Sequence, residues 1–165
     1  MTALTRDGPE PPGGEEVLPA PGPAVELDDA ECRRLLGTAT VGRITFTDGA
    51  LPAIVPVPFV LHDGQVLIPA ETASAMVTAV RGAIVAFGVD SFDPGTQTGW
   101  SVTVVGPSRV LPAPRGVERL PAACLPDRWS GPGRSLVSVQ VGRLRGWRRE
   151  RDPGVLYPSS PPSPR

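Results

Sequence analysis

The sequence predicts a mainly β domain, an antiparallel barrel of six strands with two or three small helices. Short stretches of alternating apolar and polar residues recur along the chain, and turn signals separate them. Strands do not alternate regularly with long helices, and there is no GxGxxG motif, so a dinucleotide-binding sheet is not expected. A length of 165 residues suits about one domain.

Proline and glycine mark the ends of the predicted domain. Residues 1–24 are acidic and rich in both, and residues 151–165 end in a run of Ser and Pro. Such segments bury too little apolar surface to offset the entropy lost on ordering. We therefore expect disordered tails at 1–24 and 151–165, and a folded domain at 25–150.

A short helix opens the domain. Asp28 is a suitable N-cap, Glu31 completes a capping box, and Leu27 is placed to pack against Cys32. Gly37 follows the last apolar residues and predicts a left-handed stop.

The remaining elements are mostly strands. Asp48-Gly49 predicts one hairpin turn and His62-Asp63-Gly64 a second. A second helix is expected at 73–81, a polar loop at 91–99 and a weak helix at 114–124. Alternation predicts the six strands at 42–47, 51–61, 66–68, 83–90, 100–105 and 137–141.

The strand at 51–61 carries three prolines of one parity, Pro52, Pro56 and Pro58. Alternate residues of a strand direct their N–H groups to the same side, so one edge lacks three donors. We expect this strand to pair along one side only. Its other side either is a protected edge that blocks aggregation or faces a ligand or another chain.

The composition excludes several classes of chemistry. All 16 basic residues are Arg, so Schiff-base chemistry and Walker-type phosphate loops, which need a Lys, are not expected. His62 is the only histidine, which rules out a multi-histidine metal site. The two cysteines, Cys32 and Cys124, are far apart in the sequence, and we expect them to be free thiols.

Charge and hydropathy limit the partners and the compartment. A net charge of -1 gives no overall field that would recruit nucleic acid or an anionic membrane. No uncharged apolar run is long enough to span a bilayer. The N-terminus lacks the basic-then-apolar pattern of a secretion signal, so a cytoplasmic protein is expected.

Several short segments together resemble one known family. Over residues 26–149 the chain resembles the pyridoxamine 5′-phosphate oxidase-like flavin-binding split-barrel proteins, in their small actinobacterial form. The segments that carry the resemblance are Val41-Gly42-Arg43-Ile44, Val55-Pro56-Val57, Arg81-Gly82, Val85-Ala86-Phe87, Thr98-Gly99-Trp100-Ser101-Val102 with Gly106, and Trp129 with Gly131-Pro132-Gly133.

The resemblance implies a six-stranded split barrel of the FMN-binding type that forms a homodimer. It also implies a cofactor, FMN or a deazaflavin, in a groove at the dimer interface. By resemblance the ring rests on the backbone of Val55, Pro56 and Val57, with Trp100 and Ser101 close to the groove. Ser74, at the start of the second helix, belongs to the implied phosphate site. No catalytic side chain is implied.

The phosphate site departs from the family pattern. Pro69 and Ala70 stand where relatives carry Arg-Thr, and Ala75 replaces a lysine that follows Ser74. Val105 also occupies a position that is often basic. Thr72 and Ser74 remain as a modest anion site near a helix N-terminus, and Glu71 next to it would repel phosphate. If a cofactor is held, other arginines must contribute, and the positional candidates are Arg43, Arg81 and Arg109.

Two hypotheses about function follow. The leading one is a flavin-binding protein whose chemistry would be that of an oxidoreductase. The alternative is a non-catalytic dimeric binding or regulatory module of the same fold that has lost the phosphate site. The sequence alone leaves open whether the chain is an enzyme.

Overall fold

The computed structural model describes residues 23–112 and 132–150. The predicted tails, except for Pro23 and Ala24, lie outside these residues, as do the helix candidate at 114–124 and the second cysteine, Cys124. Strand β1 begins at Ala24.

Nine strands and two helices make up the described part of the chain. In chain order they are β1 (Ala24–Leu27), α1 (Asp29–Leu36), β2 (Val41–Asp48), β3 (Leu51–Pro58), β4 (Val60–His62), β5 (Gln65–Glu71), α2 (Ala75–Ala79), β6 (Ile84–Asp93), β7 (Thr98–Pro112), β8 (Arg134–Gln140) and β9 (Arg143–Arg149).

All strand pairs are antiparallel, and they form two sheets that share the long strand β7. The order β3-β2-β6-β7-β8-β5-β4 runs through both sheets, and β9 pairs with β7 and β1. The first part of β7 lies between β6 and β9, whereas residues Ser108 to Pro112 pair with β8. The mainly β, antiparallel fold class of the split barrel is thereby confirmed.

The two pairings of β7 meet at Gly106. A Cβ atom at this position would lie 1.9 Å from the backbone oxygen of Gln140 and 3.2 Å from the backbone nitrogen of Gly142. Only glycine allows β7 to pass so close to the connection between β8 and β9. The close approach lets one strand serve both sheets.

The predicted number of six strands is wrong, because residues 23–112 and 132–150 already form nine. Strand β1 has only four residues and β9 carries four arginines among its seven, so neither shows a clear apolar alternation, and β9 pairs with both β1 and β7. The stretch 51–61 divides into β3 and β4 around the buried Phe59. The predicted loop at 91–99 shrinks to a turn, because β6 extends to Asp93 and β7 starts at Thr98.

The predicted start of the first helix is confirmed, whereas its end and both ends of the second helix are corrected. The Asp28 side chain accepts a hydrogen bond from the Glu31 backbone N–H at 2.8 Å, as the capping pattern predicts. Gly37 is not left-handed, since its φ is -70° and its N–H bonds back into the helix. Helix α2 is shorter than predicted and spans only Ala75–Ala79, after Ser74 as its N-cap.

The core lies between the sheets and the two helices. Its largest fully buried side chains include Phe87, Leu36, Ile44 and Ile68. Phe59 packs edge-on against Phe87 with ring centroids 4.7 Å apart. Among the described residues, no helix has the length and apolar character needed to cross a bilayer.

Candidate functional site

Strand β3 has one paired edge and one free edge. The Phe59 N–H donates to the Thr40 carbonyl at 3.1 Å, which shows that residues of this parity face β2. Within the described part of the chain β3 pairs with β2 alone, in continuous register from Leu51 to Pro58. The expectation that the proline-bearing strand pairs along one side is confirmed.

The free edge offers acceptors and a single donor. In an antiparallel pair the residues that do not face the partner direct both N–H and C=O outward. On β3 these are Ile54 and the three prolines Pro52, Pro56 and Pro58, so Ile54 holds the only N–H. Such an edge presents four carbonyl oxygens and cannot form a regular ladder with another strand.

Val55, Pro56 and Val57 have different surroundings on β3. Val57 is buried in the core and Val55 is half-buried against it, whereas the side chain of Pro56 is exposed. One face of this stretch therefore packs against the core, and the other face is exposed to solvent. This is the strand on which the resemblance places the cofactor ring.

The region of the implied phosphate site holds hydroxyl groups and one arginine. Arg134 on β8 lies opposite Glu71 on β5, with Nη1 3.6 Å from Oε1. One residue further, the Thr72 and Ser135 hydroxyls lie 2.8 Å apart. We call Glu71, Thr72, Arg134 and Ser135 the arginine–hydroxyl cluster.

Sequence reasoning missed Arg134 and Ser135 as members of this region. They are more than 60 positions from Glu71 in the chain, and only the β5–β8 register brings them together. Ser74 lies next to the cluster along the chain, and its Oγ accepts from the Val77 N–H at 3.3 Å as the cap of α2. The cluster supplies a cation that Pro69, Ala70 and Ala75 do not.

Trp100 and Ser101 lie on β7, away from β3. Trp100 is half-buried against the core and lines an open cavity of about 350 Å³ with Thr98 and the arginines Arg148 and Arg149. Ser101 has the opposite parity and pairs in register with Asp90 and Trp147. Strands β2 and β6 lie between β3 and β7, a separation of roughly 14 Å at about 4.8 Å per strand.

One chain therefore does not gather all six predicted residues at one place. Val55, Pro56 and Val57 are on β3, Ser74 is at the start of α2, and Trp100 and Ser101 are on β7. The cavity beside Trp100 is lined by none of the other five.

The alternative arginines have separate surroundings. Arg43 pairs with Asp90 on the neighbouring strand β6. Arg81 is exposed in the connection after α2, and Arg109 lines a second cavity beside Arg33. His62 is the last residue of β4 rather than part of the turn, which comprises Asp63 and Gly64, and its Nε2 lies 3.3 Å from the Asp63 carboxylate.

Electrostatics are strongest where α1 meets β9. Hydrogen bonds from Arg34 and from Arg148 lower the pKa of Glu31 to about 2. The Arg34 pKa is raised in turn by its hydrogen bond to Glu31. Burial raises the pKa of the Cys32 thiol, and nearby carboxylates, first Asp29, add to this effect. Cys32 is therefore a protonated core residue rather than a nucleophile.

The outer face of β2, β3 and β6 exposes large apolar side chains. Val41 is 60% exposed, Ile54 64% and Ile84 68%, and all three have the parity that faces away from the core. Several exposed aliphatic side chains on one sheet face are unusual for a surface that stays in water. This face adjoins the free edge of β3.

Comparison with known proteins identifies one related sequence and several similar structures. An uncharacterized protein of Mycobacterium tuberculosis is 41% identical over 100 residues, which are 58% of this chain and 66% of that protein. The chain thus spans slightly less than two thirds of that relative.

Two solved structures extend the comparison to three dimensions. The FAD binding protein from Mycobacterium smegmatis is 29% identical with a TM-score of 0.61, covering 77% of this chain and 98% of its own. A conserved protein of unknown function from Corynebacterium diphtheriae is 26% identical with a TM-score of 0.62, covering 78% and 99%. The family model described as pyridoxamine 5′-phosphate oxidase matches residues 28–148. The chain belongs to the pyridoxamine 5′-phosphate oxidase family.

Proposed function

We propose that this chain binds a flavin in a groove between two copies of itself and works as a flavin-dependent oxidoreductase. The observation that carries the proposal is the arginine–hydroxyl cluster, which provides a cation and hydroxyl donors in the region where the family resemblance expects the flavin phosphate. The Mycobacterium smegmatis FAD binding protein, at 29% identity over nearly its whole length, supports a flavin as the ligand class.

The free edge of β3 suits the polar side of a flavin ring. That side carries one N–H donor between two carbonyl acceptors. The edge offers carbonyl oxygens at Pro52, Ile54, Pro56 and Pro58 and one N–H at Ile54, so both kinds of partner are available. Strands β3 and β5 come close to each other, which places the edge and the cluster on neighbouring elements.

The cluster suits a phosphate group despite Glu71. A guanidinium on a phosphate forms a charge-assisted pair worth about 1.5–3 kcal/mol, more than a hydroxyl contributes. The Glu71 carboxylate partly neutralises Arg134. We propose that Arg134 turns from Glu71 to the phosphate, and that Thr72 and Ser135 donate from their hydroxyls.

A bound flavin supplies hydride transfer, which no protein side chain can perform. The residues of this chain bind and orient the ring through the β3 backbone. Val57 and Phe59 seal the core side of that strand against water. The protein contribution is thus position and a dry groove rather than a proton-transferring side chain.

A homodimer is part of the proposal. The apolar face that includes Val41, Ile54 and Ile84 would pack against the same face of a second copy, which would remove both faces from water. The prolines prevent strand addition at the β3 edge, so the copies would pack face to face and leave the edge at a groove. A second copy would also bring another Trp100 and Ser101 to the assembly.

Flavin titration tests the proposal. Full-length protein is titrated with FMN and with FAD while flavin fluorescence is followed, and the complex is then mixed anaerobically with a reduced nicotinamide. We expect saturable quenching and loss of the oxidised flavin absorbance. A colourless protein without affinity for FMN, FAD or a deazaflavin would contradict the proposal and favour the non-catalytic module.

A further inference from the structure

A second cavity lies at the opposite end of β5 from the arginine–hydroxyl cluster. It has a volume of about 310 Å³ and is lined by residues of α1, of the turn after β4, and of β5, β7 and β8. Gln65 lines it, whereas Glu71 of the cluster ends the same strand. Six residues at about 3.3 Å each separate these ends by roughly 20 Å, so one phosphate group cannot occupy both places.

Two arginines from distant parts of the chain line this cavity. Arg33 comes from α1 and Arg109 from the last part of β7. Neither forms an ion pair with a carboxylate among residues 23–112 and 132–150. Asp63 is the one acidic side chain in the lining, and its carboxylate lies 3.3 Å from His62 Nε2. The charge balance of the lining is therefore positive.

The neutral polar groups of the cavity reinforce its preference for anions. The buried Ser138 donates its hydroxyl hydrogen to the Gln65 side-chain oxygen. Because the Gln65 side-chain oxygen accepts this bond, the NH₂ group of the same amide remains as a hydrogen-bond donor. Gln140 lies opposite Gln65 in the β5–β8 register and adds a second amide.

We propose that this cavity binds a small dianion, a phosphate monoester or a dicarboxylate, between Arg33 and Arg109. Paired guanidinium groups are suited to phosphate and carboxylate oxygens because they offer parallel N–H donors. The volume is at the lower end of ligand pockets, which restricts the guest to a molecule of a few carbon atoms. The site is separate from the proposed flavin groove and does not depend on it.

The test is calorimetric titration of the full-length protein with four probes. Inorganic phosphate and glycerol 3-phosphate represent the phosphate class, succinate represents the dicarboxylates, and glycerol is the neutral control. We expect saturable binding of at least one dianion and none of glycerol. Arg33→Gln and Arg109→Gln should each weaken it about tenfold or more, the effect of losing one charge-assisted pair.

Matched variants separate this site from general charge effects. Arg81→Gln removes an exposed arginine that lines neither cavity and should leave dianion binding unchanged. Asp63→Asn removes the one carboxylate and should tighten binding several-fold. Asn also suits the positive φ of 48° at this position, so the turn is kept.

Three outcomes would overturn the proposal. One is the absence of saturable binding for every dianion, and another is equal weakening by Arg81→Gln. The third is a parallel loss of FMN affinity in Arg33→Gln and Arg109→Gln, because the cavity would then be the phosphate end of the flavin site. Thermal unfolding of each variant is the folding control, and we expect melting temperatures close to that of the wild type because these arginines are exposed.

Discussion

Arg148 on β9 hydrogen-bonds to the carboxylate of Glu31 on α1, 117 positions away in the chain. Arg34, one turn along the helix, donates to the same carboxylate through Nε at 2.7 Å and Nη2 at 2.9 Å. Glu31 is thereby shared between a local and a distant arginine. The shared carboxylate ties the first helix to the last strand of the described domain, beside the cavity that Trp100 lines.

This arrangement predicts a pH-dependent stability. The pKa of Glu31 falls from 4.5 to about 2 in the folded chain, so the folded state favours the ionised carboxylate. The contribution is present above pH 4.5 and is lost as the pH falls towards 2. In urea unfolding, Glu31→Gln should be less stable than the wild type at pH 7, and the difference should shrink through this window.

A control variant separates the charge effect at Glu31 from a packing effect. Glu26→Gln alters an exposed carboxylate that has no ion pair among the described residues, and it should follow the wild type. A Glu31→Gln deficit that is the same at pH 7 and near pH 2 would show that the effect is packing and not charge.

Gly106 predicts a severe backbone effect. Because a Cβ there meets the Gln140 oxygen at 1.9 Å, Gly106→Ala must displace β7 from β8, at a cost of about 2–4 kcal/mol. Gly88→Ala is the matched control, since its nearest neighbour would be the Val102 oxygen at 3.9 Å. Thermal unfolding should separate the two variants clearly, and equal melting temperatures would contradict the proposed switch of β7 between sheets.

The buried Cys32 predicts an unreactive thiol. Its pKa is raised by burial, and it lies beneath Gly146 and Leu27. In a Cys124→Ser background, a colorimetric thiol reagent at neutral pH should detect no thiol in the native protein and one after denaturation. Rapid labelling of the native protein would show that α1 opens from the core readily.

The apolar sheet face predicts a charge-sensitive dimer. Ile54→Glu places a carboxylate on that face and should convert the proposed dimer to a monomer, as measured by light scattering after size exclusion. Ala30→Glu adds the same charge on an exposed position of α1 and should leave the dimer intact. A wild-type protein that is monomeric at all concentrations would contradict the proposed groove between copies.

Local signals in the sequence were sufficient for several features. The parity of Pro52, Pro56 and Pro58 predicted the free edge of β3, and Asp28 predicted the start of α1, because both depend on neighbouring residues only. The turn at Asp63 and Gly64 is confirmed by positive φ angles of 48° and 69°.

Features that depend on long-range pairing could not be predicted in the same way. Strand β9 is identified by its backbone pairing with β1 and β7, which the side-chain pattern of its arginine-rich sequence does not reveal. Arg134 lies opposite Glu71 because of the β5–β8 register, and no local pattern in the sequence predicts that register. The Gly37 end of α1 differs because its N–H satisfies the helix without a left-handed turn.

The most direct test of the proposed flavin site compares FMN with riboflavin, which lacks the phosphate. Wild-type protein should prefer FMN. Arg134→Gln should lose about tenfold in FMN affinity while its riboflavin affinity stays unchanged, because only the phosphate contact is removed. Glu71→Gln should tighten FMN binding, since the competing carboxylate is gone. An FMN preference that survives Arg134→Gln, or equal loss for both ligands, would contradict the account.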